Sequence, residues 1–263
     1  MNPNNQKTLL AFKKEYTNKI FKTNKGLNLK ILDYRGVNDI TVIFENGYTT
    51  ITNLDCIRKG TIKNPLYPSV CNVGYFGVGI FTATILGKNT PEYEAWSGMI
   101  KRCYGEKKLE KYTSYIGCSV DEKWHNFQNF AKWHEENYNP EIMKDWQLDK
   151  DILVKNNKIY SPETCCFVPR DINNVIKTNK NKRGELPVGV SRRTINKKEM
   201  FRVSIATAVK KSNLGYFNTP EEAFQVYKTA KENYIKEVAD KWCGLISKRV
   251  YQALMDYKIE ITD

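Results

Sequence analysis

The chain has 263 residues and carries 42 Lys and Arg against 29 Asp and Glu, a formal net charge of +13, with 41% hydrophobic residues. Its 16 Tyr, 11 Phe and 5 Trp are too many for a disordered polybasic tail. No apolar run approaches the ~18 residues that a membrane-spanning helix needs, and the opening 25 residues lack the apolar stretch and cleavage site of a secretory signal.

In chain order, residues 27–62 read as β. LKILDY, ITVIFE and YTTITNL are β-branched and aromatic runs, and Asn46-Gly47 is a hairpin turn signal. They predict a small β-barrel or curled sheet. Residues 63–90 are rich in Gly, Pro and aromatics and read as a connector or extended arm, giving an amino-terminal region 1–90. Thr90-Pro91 is a helix start, followed at helical spacing by Tyr93, Trp96, Met99, Ile100, Cys103 and Tyr104. Trp124, Phe127, Phe130, Trp133 and Tyr138 form a second aromatic stripe, read as core rather than as a base-stacking platform. His125 and His134 fall within it and read as structural. Residues 148–176 then read as strand, turn, strand and a short helix from about Arg170, closing a central module 91–176.

A basic linker is expected at 177–187. The carboxy-terminal domain, 188–263, has three short strands, GVSRRT, FRVSIAT and LGYF, followed by a helix that opens with Thr219-Pro220-Glu221-Glu222. Glu222 stands three residues after Thr219, as in a capping box. Ala223, Phe224, Tyr227, Ile235 and Val238 give the helix one apolar face, and a last helix is expected around Trp242–Met255. The fold class is thus α+β: an amino-terminal barrel or curled sheet, a central helical and ββα module, and a three-stranded antiparallel sheet with a long helix.

The charge is unevenly placed. Residues 1–91 have net +7, 92–145 net −2, 146–173 net zero and 174–211 net +9. A basic, aromatic-rich, folded chain points to a polyanion, with nucleic acid first. The seven cysteines are odd in number and lack a Cys-x-x-Cys pair, which argues against a disulfide framework or a zinc site and for free thiols in a reducing cytoplasm.

An antiparallel sheet with a helix on one face leaves the other face open. Arg192, Arg193, Lys197, Lys198, Arg202, Lys210 and Lys211 are the candidates to line that face and its turns. There arginines can read guanine and lysines can contact phosphate. GVSRR…FRVSI…LGYFNTPEEAFQVYKTA resembles the APETALA-two/ethylene-response-factor DNA-binding domain, with Phe201 where that family has Trp. The resemblance implies that this sheet enters the major groove of double-stranded DNA.

The stretch LDKDIL…NNKIYSPETCCFVPRDIN resembles HNH nucleases of the phage homing type. By that resemblance Asp149 and Asn173 bind one divalent metal, Mg²⁺ or Mn²⁺, and the activity is hydrolysis of DNA phosphodiesters. Pro162-Glu163 matches the family's Pro-Glu. The general-base histidine position holds Lys150, and a protonated lysine is a poor base at neutral pH. Asp151 and Glu163 are the candidates to take its place, so the catalytic set is Asp149, Lys150, Asp151, Glu163 and Asn173. Taken together the layout resembles phage proteins of HNH homing-endonuclease type, which implies action on DNA in the cytoplasm of a bacterial host. Two alternatives stand beside it. One is a catalytically silent DNA-binding regulator or anti-defence protein. The other is an RNA- or ribonucleoprotein-binding protein that stacks bases on Tyr67, Tyr75, Phe76 and Phe81.

Overall fold

In the computed structural model the described residues are 3–106, 115–177 and 185–263. They form two compact units that divide between Ile80 and Phe81. The expected basic linker falls largely on residues 178–184, outside the described residues.

The first unit begins with helix α1 (Pro3–Tyr16) and continues as strands β1 (Ile20–Lys22), β2 (Asn28–Gly36), β3 (Asp39–Phe44) and β4 (Thr49–Thr52) and helix α2 (Leu54–Lys59). The strands form an antiparallel sheet in the order β1-β2-β3-β4. The expected barrel or curled sheet does not form: β1 and β4 are the two edges and do not pair with each other. The alternation explains why. Leu29, Ile31, Tyr34, Ile40, Val42 and Phe44 are buried together, and Leu54 and Ile57 of α2 join them, with Phe12 and Tyr16 of α1 packed against the cluster. Helices cover that apolar face, so no closure is needed to bury it. The short edges, three and four residues long and only partly buried, offer little to pair. Asn53 caps α2 by accepting from the Cys56 N–H at 2.8 Å.

The second unit opens with a hairpin of β5 (Thr84–Ile85) and β6 (Lys88–Asn89), then α3 (Pro91–Tyr104). Thr90 precedes α3, but its hydroxyl donates to the Thr82 carbonyl at 3.0 Å and does not cap the helix. The second aromatic stripe is broken in two. Trp124 lies on a 3₁₀ turn (Glu122–His125), and α4 (Phe127–Asn137) starts anew, with Asn126 accepting from the Gln128 N–H. Trp96, Trp124, Phe127 and Phe130 are almost wholly buried, and the Trp96 indole donates to the Trp124 carbonyl at 2.7 Å. These rings are core, and none of the four is open to a base. Tyr67, Tyr75, Phe76 and Phe81 are half-buried. Phe81 is also held through its backbone, which exchanges two hydrogen bonds with the Gln128 amide.

Strand β7 (Ser119–Val120) pairs in parallel with β9 (Ile159–Tyr160), and β8 (Gln147–Asp149) pairs antiparallel with β10 (Cys166–Val168). Helix α5 (Arg170–Ile176) follows β10 directly. The carboxy-terminal part is the antiparallel sheet β11 (Val190–Ile195), β12 (Lys198–Ala206) and β13 (Lys211–Phe217), then α6 (Pro220–Lys241) and α7 (Lys248–Met255). The Thr219 hydroxyl accepts from the Glu222 N–H at 3.2 Å and so caps α6. Residues 242–247 are turn, and Ser247 caps α7.

Ile152, Val168, Ile172 and Val175 share one buried core with Val203, Phe224, Tyr227, Ile235, Val250 and Leu254. The module around β8–β10 and the carboxy-terminal sheet are therefore packed on each other. Gly189, at φ +78°, lets β11 approach the Tyr227 ring: an added Cβ would stand 2.0 Å from Tyr227 Cδ2. Gly189→Ala combines a ring clash with left-handed strain and is expected to destabilise by about 2–4 kcal/mol. Thermal unfolding with and without Tyr227→Leu, which removes the clashing ring, checks this: the penalty should shrink in the double variant.

Candidate functional site

The candidate centre starts from a local turn. Asp149 ends β8, and its Oδ1 accepts from the backbone N–H of Asp151 at 2.7 Å and of Ile152 at 2.9 Å. This is an Asx-type turn, in which a carboxylate organises the two residues that follow it. Asn157 closes the loop beyond. Its amide donates to the carbonyls of Lys150, at 2.9 Å, and of Ile159, and its Oδ1 accepts from the Ile159 N–H at 3.1 Å.

Lys150 is 6% exposed. Its ammonium donates to Asp151 Oδ1 and, at 2.8 Å, to the Asn157 carbonyl, and it lies 5.8 Å from the Tyr160 ring centroid. The ion pair is with Asp151 and not with Asp149. An ammonium that donates in this way holds charge and shape; it has no lone pair to accept a proton. Asn173 sits on the buried side of α5, and its amide donates to Gln147 Oε1 on β8.

Asp149, Lys150, Asp151 and Asn173 line one cavity of about 910 Å³. Glu163 does not line it. The Ser161-to-Thr164 turn holds Glu163 at the surface, where its carbonyl accepts from Arg249 at 2.8 Å. A hydrogen bond from Ser161, followed by one from its own backbone, holds its carboxyl below the ordinary range. Pro162-Glu163 therefore serves the turn.

Sequence reasoning passed over several other residues of this cavity, Arg102, Tyr115, Lys155, Tyr160 and Asp263, and read His134, which also lines it, as structural. His134 packs at a tilt against Tyr138, with ring centroids 4.7 Å apart, and meets the Phe167 ring edge-on at 5.2 Å. Burial lowers its pKa, partly offset by the charge of Glu92. His125 hydrogen-bonds the Val120 carbonyl at 3.1 Å and is structural. Lys155 is held by Asp263, at 2.7 Å, and by the Lys258 carbonyl.

Among the described residues no group of three or more His, Cys, Asp and Glu is placed to hold a metal. Asp149 and Asn173, the two expected metal ligands, line the same cavity, as do Asp145, Asp151 and Asp263.

The carboxy-terminal sheet is the second candidate surface. Cross-strand register puts Ser191, Arg202 and Tyr216 side by side, and Arg193 beside Met200. Phe201 and Val203, which alternate with these, are buried toward α6. Arg193, Lys198, Arg202 and Lys211 thus lie on the open face. Arg192 lies on the other face, where it pairs with Glu199 at 3.3 Å. Lys197 is in the β11–β12 turn, with Asn196 and Lys197 both at positive φ, and Lys210 is in the β12–β13 turn. The Arg202 Nε is buried without a hydrogen-bond partner.

Compared with protein-family models, curated proteins and solved structures, the chain matches none. Among the described residues no helix is long and apolar enough to cross a membrane.

Burial raises the pKa of Asp149 above the ordinary value of 3.8, opposed by the Asp151 N–H and reinforced by the Asp151 charge. Folding then disfavours the ionised form. This penalty is complete above the raised pKa and fades as pH falls through it toward the unfolded value. Asp149→Asn keeps an acceptor for the turn and removes the charge. It is expected to raise Tm at neutral pH by about 2–4 °C, as does ~1 kcal/mol in a chain of this size. The gain should shrink on acidification, which thermal unfolding at neutral pH and at successively lower pH reads directly.

Proposed function

We propose that the protein binds double-stranded DNA through the open face of the carboxy-terminal sheet. The observation that carries this reading is the arrangement of Arg193, Lys198, Arg202 and Lys211 on the face opposite α6, over which no helix lies among the described residues, with the Arg202 Nε left without a partner. Arginines there are positioned for bidentate contacts to guanine in the major groove, and the lysines for phosphate. The resemblance of β11–β13 and α6 to the APETALA-two type supports the same groove. Seven cysteines free of disulfides suit a reducing cytoplasm, the compartment expected for a phage protein in its host.

Arg193→Ala and Arg202→Ala are each expected to weaken a selected duplex site by about 1–3 kcal/mol, roughly 5- to 150-fold. Arg192→Ala should change it little, because that side chain faces away and is matched by Glu199. Lys211→Ala should weaken all duplexes alike and reduce the salt slope by about one. Site selection from a random pool, then anisotropy titrations at several salt concentrations, measures all of these. Unchanged affinity in both Arg193→Ala and Arg202→Ala overturns the reading, and tighter binding of single-stranded RNA than of duplex moves it to the RNA class.

A second reading, metal-assisted hydrolysis of a DNA phosphodiester, is supported by Asp149 and Asn173 lining one cavity. Mg²⁺ there would supply a Lewis acid for the phosphate oxygens. Asp149 would hold it as a carboxylate, Asn173 through its amide oxygen, and the Lys150–Asp151 pair would keep the loop in shape. Asp149→Ala is expected to lose plasmid cleavage in Mg²⁺ or Mn²⁺ while keeping duplex affinity within about twofold. Binding without any cleavage in the parent chain assigns a silent site and a regulatory or anti-defence role.

A further inference from the structure

Arg102 is in the last turn of α3 and lines the same cavity as Asp149. Its guanidinium carbon stands 5.6 Å from the Tyr160 ring centroid and 5.8 Å from that of Tyr115. The guanidinium also hydrogen-bonds the Tyr160 hydroxyl. Its Nε is buried and has no hydrogen-bond partner. Among the described residues no carboxylate forms an ion pair with it, whereas Lys150 is matched by Asp151 and Lys155 by Asp263. An added Cβ at Gly98, one turn earlier, would be in ordinary van der Waals contact with the Arg102 Nη1, at 3.5 Å.

A guanidinium taken out of water without a counter-ion is costly, and a cavity gives room for the anion to arrive from outside. Arginine's planar fork matches two oxygens of a phosphate at once, and π-faces on its flanks hold it in plane. The Tyr160 ring also carries the Lys150 ammonium, so one aromatic platform sets two cations beside the Asp149 turn.

We infer that Arg102 is the anchor of a phosphate-binding site in this cavity, and that its ligand is one phosphodiester of a nucleic-acid strand. The inference rests on the nucleic-acid reading only for the source of the phosphate; the site does not use the carboxy-terminal sheet. The volume suits a nucleotide-sized group, since ligand pockets run from about 300 to 1,000 Å³.

The test uses the full chain and two probes, an eight-nucleotide thymidine strand and inorganic phosphate. Arginine modification by phenylglyoxal, read at Arg102 by peptide mass spectrometry, is followed with each. Protection of Arg102 by the oligonucleotide at concentrations where inorganic phosphate gives none is the expected result. Equal protection by inorganic phosphate overturns the strand as source, and no protection by either overturns the site. Calorimetry of the oligonucleotide should show at least a tenfold loss in Arg102→Gln and a partial loss in Arg102→Lys, which keeps the charge and loses the fork. Unchanged affinity in a folded Arg102→Gln also overturns the site, and the protection experiment needs no variant to fold. Arg202→Ala should leave protection of Arg102 intact. Failure of the sheet as a duplex-binding face is therefore read apart from failure of this site.

Discussion

The shared hydrophobic core between the β8–β10 module and the carboxy-terminal sheet is what the rest of the second unit depends on. Ile152, Val168, Ile172 and Val175 have no core of their own; they bury against Val203, Phe224, Tyr227, Ile235 and Leu254. A module with strands of two and three residues is too small to stand alone in water. Packing it on α6 and α7 supplies the missing apolar area. It also ties the cavity and the basic face to one core.

Within that frame the cavity concentrates charge that folding disfavours. Burial raises the pKa of Asp149, and Arg102 keeps an unpartnered nitrogen. Ordinary folding selects against both. By contrast Lys150 and Lys155 each have a carboxylate and a carbonyl. The Nε atoms of Arg102 and Arg202 are both buried without a hydrogen-bond partner, one at the cavity and one on the sheet. The same logic separates Arg202 from Arg192 on the sheet. One is open and incompletely bonded; the other is matched by Glu199.

Much of the element order was legible in the sequence. The 3.6-residue spacing from Tyr93 to Tyr104, the Thr219 cap and the alternation in the last three strands each encode their own element locally. The failures have physical causes. The amino-terminal strands suggested closure because their alternation was counted without a cover, and α1 and α2 provide that cover. The aromatic stripe suggested one helix, but the Asn126 side chain starts a new one and leaves Trp124 on a 3₁₀ turn. Arg192 and Arg193 were both assigned to the open face, although adjacent strand residues point to opposite sides; the burial of Val190 and Val203 decides which of them is open.

By itself the sequence determined a basic, aromatic-rich composition and a local order of a carboxylate, a lysine and an asparagine that resembles the HNH type. Those are properties of neighbours in the chain, set by turn chemistry, period and composition. Only the tertiary structure decided that Glu163 stays at the surface, that Lys150 is consumed by Asp151, and that Arg102 from a distant helix enters the cavity. Burial and counter-ions are matters of what packs nearby, and spacing along the chain carries no record of them.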